Sequence, residues 1–130
     1  MFTARKYIGA IAVAGTLLSS ATLPARGQIS ATVPYDEKLT RLAEVLGSIH
    51  YLRNLCGEIS NDWRDEMQDM LVAENPEPFR RARLIASFNR GYRTFDSIYV
   101  TCTDQALAAI ERYMAEGLGL SREINNRYGE

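Results

Sequence analysis

One histidine, one tryptophan, two cysteines and two lysines in 130 residues close off most metal and catalytic chemistry at the outset. His50 has no second imidazole to share an ion with, and with two cysteines it makes too few soft ligands for zinc. Neither Cys56 nor Cys102 belongs to a Cys-x-x-Cys pair. There is no glycine-rich phosphate loop, no His-Glu-x-x-His, no EF-hand loop and no haem-attachment motif. No cofactor and no metal is therefore expected. A Ser-His-Asp set around His50 is formally possible but has no nucleophile-elbow context, and His50 reads as a partly exposed helix residue. Glu58 and Asp62 could in principle serve a glycosidase, yet at a helix start they suit the helix dipole better. These residues point away from an enzyme without excluding one.

Long apolar runs are also scarce, and the one present is at the start. Arg5 and Lys6 precede an almost wholly apolar or small stretch, Tyr7 to Leu18, followed by Ser19, Ser20, Ala21 and the helix breaker Pro24. About a dozen apolar residues are too few to span a bilayer core of roughly 30 Å as a helix. A charged start, a short apolar core and small residues make a cleavable signal peptide. Ala25-Arg26-Gly27 offers small residues for cleavage before Gln28, with Ser19-Ser20-Ala21 a second choice. The reading is a leader over 1–27, a flexible tether over 28–34 and one helical domain over 35–130, located in the periplasm. Loss of Arg5, Lys6 and Arg26 takes the net charge from −1 to about −4, which gives no global reason to bind nucleic acid or anionic lipid. No later stretch is apolar enough to cross a membrane.

An even cysteine count in an exported small domain implies a disulfide, and two cysteines allow one intramolecular pairing, Cys56 with Cys102.

The mature chain reads as helix throughout. Helix one begins near Asp36, and Leu39, Leu42, Leu46, Ile49 and Cys56 form one apolar stripe that stops at Gly57. Ser60 or Asn61 caps helix two, whose inner face is Trp63, Met67, Met70 and Leu71. Asn75-Pro76-Glu77-Pro78 separates it from helix three, which starts at Pro78 and carries Leu84, Ile85, Phe88, Tyr92, Phe95, Ile98 and Tyr99. Thr103 caps helix four, with Leu107, Ile110, Met114, Gly117, Ile124 and Tyr128 as its stripe. Short connections favour an all-α, up-down-up-down four-helix bundle stapled by one disulfide. Both cysteines end odd-numbered helices, which run parallel in that topology. Helices three and four are expected to register so that Phe88 faces Gly117, Phe95 faces Ile110 and Met114 faces Gly91.

Several segments also resemble a known family. They are Tyr51-Leu52-Arg53-Asn54-Leu55-Cys56-Gly57, Arg80-Arg81-Ala82-Arg83-Leu84, Phe88-Asn89-Arg90-Gly91-Tyr92-Arg93, Tyr99, Cys102-Thr103, Arg112-Tyr113 with Glu116-Gly117, and Arg127-Tyr128-Gly129. Together they are similar to a family of small secreted proteins of alphaproteobacterial type with no established activity. The resemblance runs from about Tyr35 onward. It implies export and adds no substrate, cofactor or catalytic residue.

Charge is unevenly placed. Glu58 to Glu77 holds seven acids and one base, Arg64, whereas Pro78 to Arg93 holds five arginines and no acid. One reading makes helices two and three antiparallel neighbours with complementary faces, whose exposed pairs add little energy each. The other makes a basic patch for an anionic partner from Arg80, Arg83, Asn89, Arg90 and Arg93, with Trp63 as a possible hot spot or a core anchor. Phospholipid headgroups, cell-wall carboxylates and an acidic envelope protein are the candidate anions. The function expected is a binding or structural module of the cell envelope. A glycan-acting enzyme and a carrier of a small apolar ligand are the alternatives.

Overall fold

The computed structural model describes residues 33–128, so the leader and most of the tether lie outside the described residues. Four helices follow in order: α1 (Asp36–Leu55), α2 (Asp62–Glu74), α3 (Pro78–Asp96) and α4 (Asp104–Tyr128). Their ends follow local chemistry. Val33 and Pro34, at the end of the expected tether, form the turn into α1: the Val33 carbonyl accepts from Asp36 N at 3.1 Å. Gly57 ends α1 with φ +99, a conformation glycine takes without strain. Asn61 makes no side-chain cap for α2; Ser60 Oγ accepts from Asp62 N at 3.4 Å. The Glu77 carboxylate caps α3 by accepting from Phe79 N at 2.8 Å and Arg80 N at 2.7 Å, with Pro78 in the first turn. Thr103 Oγ1 caps α4 by accepting from Ala106 N at 3.1 Å.

The bundle runs up-down-up-down, as expected. Arg80 with Asp36 at one end and the Cys56–Cys102 disulfide at the other set α1 parallel to α3; the bridged Cα atoms are 5.0 Å apart. Tyr35 donating to Glu74 and Arg53 stacked over Trp63 set α2 antiparallel to α1. Lys38–Glu123 and Arg41–Glu116 ion pairs do the same for α4. With a sequence separation of 46 between its cysteines, the bridge contributes roughly 4 kcal/mol by loop closure.

α1 is the hub, and α2, α3 and α4 pack chiefly against it rather than against one another. Val45 through His50 is an unbroken buried run, joined by Ala43 and Leu52. Its apolar stripe alone does not announce this, because Gly47, Ser48 and His50 are buried without being apolar.

The central role of α1 overturns part of the expected register. Near the bridge, Phe95 does pack in one cluster with Ile110 and meets the Tyr113 ring edge-on at 5.2 Å. Farther away, α4 leans on α1: Gly117 abuts Val45 and Leu42, not Phe88. Gly91 lies under the Glu44 backbone, not opposite Met114. The α4 face turns accordingly. Ala106 and Ala109 are buried against Leu52 and Phe95, while Leu107 is half exposed. Small side chains let the α4 backbone come close to α1, which the larger Leu107 cannot do. Ile98 falls beyond the end of α3 and is exposed. Phe88 and Phe95 are buried, but Trp63, Ile110 and Met114 are only half-buried.

Candidate functional site

The expected basic patch divides when its residues are placed. Arg80 is not on the surface. It is 7% exposed, donating from Nε to Asp36 Oδ1 at 2.7 Å and from Nη2 to Glu74 Oε2 at 2.8 Å. Tyr35 donates to the same Glu74 oxygen at 3.0 Å, and its ring lies under the Arg80 guanidinium. Burial works against the Arg80 charge, but the bonds to Glu74 and Asp36 outweigh it and hold the group firmly protonated. This cluster ties the start of α1, the end of α2 and the start of α3 together. Arg80 belongs to the fold, because Asp36 of α1 and Glu74 of α2 enclose its guanidinium.

Arg83, Asn89, Arg90 and Arg93 are all exposed on the outer side of α3. Among these, Arg90 makes a long ion pair to Glu44 at 3.8 Å and donates to Ser87 Oγ at 3.2 Å. The complementary-face reading is met at one place: among the described residues, the ion pair joining α2 to α3 is Glu74–Arg80. Asp62, Asp65, Glu66 and Asp69 stay exposed on α2. Between the two helices lies a cleft of about 210 Å³ with Met67, Ile85 and Phe88 inside and Arg64, Gln68 and Asn89 at its edge.

Trp63 is not part of this surface. It stands on the other side of α2, under Arg53 at 5.5 Å, at the edge of a groove between α2 and α4. That groove went unseen in the sequence. Its floor is the expected α1 stripe, Leu42, Leu46 and Ile49, and its far wall is Met114 and Leu118. The apolar stripe was legible, but that α2 and α4 leave it partly uncovered depends on how α1 is surrounded. Leu118, apolar but outside the α4 stripe read from the sequence, was the available signal.

His50 is buried at 6% exposure, contrary to the partly exposed position expected, with Phe88 and Tyr92 rings about it and Asn54 Nδ2 at 3.3 Å from Nδ1. Burial, and next the nearby positive charge of Arg64, lowers its pKa, while Asp65 opposes the shift. Among the described residues, no group of three or more His, Cys, Asp or Glu side chains is placed to hold a metal ion. No helix among them is long and apolar enough to cross a membrane.

Residues 34–128 match the family described as protein of unknown function (DUF2385). No curated protein and no solved structure matches the chain.

Proposed function

We propose that this chain, which belongs to the DUF2385 family, is a non-enzymatic binding module of the bacterial cell envelope. Its leader-like N-terminus supports export to the periplasm, and the cysteine pair suits an oxidising compartment. The reading rests on one observation. Arg83, Asn89, Arg90 and Arg93 stand exposed on α3, and among the described residues no α2 acid forms an ion pair with any of these three arginines. Folding uses Arg80 fully and holds Arg90 only through a long contact to Glu44 at 3.8 Å and a bond to Ser87, which leaves Arg83, Arg93 and the exposed side of Arg90 for a partner. Guanidinium groups suit carboxylates and phosphates, and an acidic surface of an envelope protein offers several at once. His50, enclosed by aromatic rings, is poorly placed to act as a base on a substrate.

The test is capture from a periplasmic extract with chemical crosslinking. Wild-type capture is expected to weaken as salt rises, because exposed charges are screened within about 8–10 Å. Arg83→Ser, Arg90→Ser and Arg93→Ser combined should abolish capture while shifting stability by no more than about 0.5 kcal/mol per site. Capture that survives both the substitutions and high salt would sink the proposal.

A further inference from the structure

The α2–α4 groove lies across α1 from α3, so it is separate from the basic face. Its floor is Leu42, Leu46 and Ile49, walled by Trp63, Met114 and Leu118. A second section of about 330 Å³ continues it past Met70 and Ala73, sharing Leu42, Leu46 and Ser121 with the first. A third reaches Leu39 and Ile124. From Leu39 to Ile49 the slot follows ten residues of α1, about 15 Å or nearly three helical turns. That length suits one apolar stripe of a helix laid along it, with anchors at i, i+3 or i+4, and i+7.

The lips choose among occupants. Along α2 the lining carries the exposed acids Glu66 and Asp69 and no base. Along α4 the lining is Met114, Gly117, Leu118 and Ser121, none of them charged. At the bridge end Arg53 is already paired with Glu58 and stacked on Trp63. An apolar slot with one acidic lip and no basic lining residue complements a helix that is apolar on one face and basic beside it. An acyl chain would make no use of the acids. The geometry points to a docking groove for a cationic amphipathic helix of a partner protein, lying along α1 between α2 and α4.

Trp63 is the chain's one tryptophan and lines the groove, so its emission reports occupancy directly. The probes are synthetic helices of about 18 residues without tryptophan: a leucine stripe flanked by lysines, the same stripe flanked by glutamates, and the lysine peptide with its stripe scrambled. The lysine peptide is expected to shift Trp63 emission saturably and to bind at least about ten-fold tighter than the other two. Its advantage over the glutamate peptide should shrink between about 50 and 500 mM salt. Leu118→Glu, at a half-exposed wall position, should weaken it at least about ten-fold with the melting temperature retained. Glu66→Lys with Asp69→Lys, both exposed, should reverse the peptide preference even if Leu118→Glu disturbs folding. Equal binding of the three peptides would overturn the proposal. So would saturable binding of palmitate with no response to the lysine peptide. A photo-crosslinker at position 118 that reacts with the segment preceding residue 33 of the same mature chain would also overturn it, by showing the groove filled from within.

Discussion

Gly47 of α1 and Gly91 of α3 lie in reciprocal contact with the opposing backbone. A Cβ on Gly47 would overlap the Phe88 carbonyl and come within 3.1 Å of Tyr92 N. A Cβ on Gly91 would overlap the Glu44 carbonyl and come within 2.9 Å of Ser48 Oγ. Neither obstacle is the free end of a flexible side chain, so the helices themselves would have to part. This close approach makes α3 the most extensive neighbour of α1 and gives Gly91 its purpose.

Gly47→Ala and Gly91→Ala are each expected to destabilise the protein by about 2–3 kcal/mol or more, despite alanine's better helix propensity. The double variant should cost less than the two singles together, because one separation of α1 from α3 relieves both overlaps. Urea unfolding of the four proteins checks both points. Single variants as stable as wild type would mean the crossing is looser than described.

Arg80→Met should cost about 3–5 kcal/mol, because it leaves the Asp36 and Glu74 carboxylates sequestered without their cation. Asp36→Asn added to Arg80→Met should recover part of the loss, since one orphaned charge is removed. Arg83→Met, on the exposed side of the same helix, should be near neutral. Thermal and urea melts distinguish these outcomes; equal effects at positions 80 and 83 would contradict the division of the arginines.

His50 should make stability depend on pH with a definite sign. In the unfolded chain a histidine takes up its proton near pH 6.5, whereas burial makes folded His50 do so only at lower pH. Between those two values the unfolded state binds more protons, so stability falls as pH drops through that window and levels off below it. His50→Gln removes this component. The stability of wild type relative to the variant should therefore decline between about pH 7.5 and 5, measured by urea unfolding at each pH. A constant difference would show that His50 does not carry the dependence.

Helix number, helix starts and the disulfide were legible because each is set by neighbours in the chain. Pro78, the Thr103 cap and Gly57 act within a few residues of themselves, and two cysteines can pair in one way. Sequence alone also marked Arg83, Asn89, Arg90 and Arg93 as an unusual cluster. It could not separate Arg80 from them, since the same arginine serves a solvent face or a buried carboxylate according to what folds over it. Nor could it name the hub. Gly47, Ser48 and His50 bury one side of α1 without an apolar signal, and the small residues of α4 came closer to the hub than Leu107. Those choices turn on backbone-to-backbone distance and on which helices share a neighbour. Only the assembled bundle decides them, and with them the groove that α2 and α4 leave open along α1.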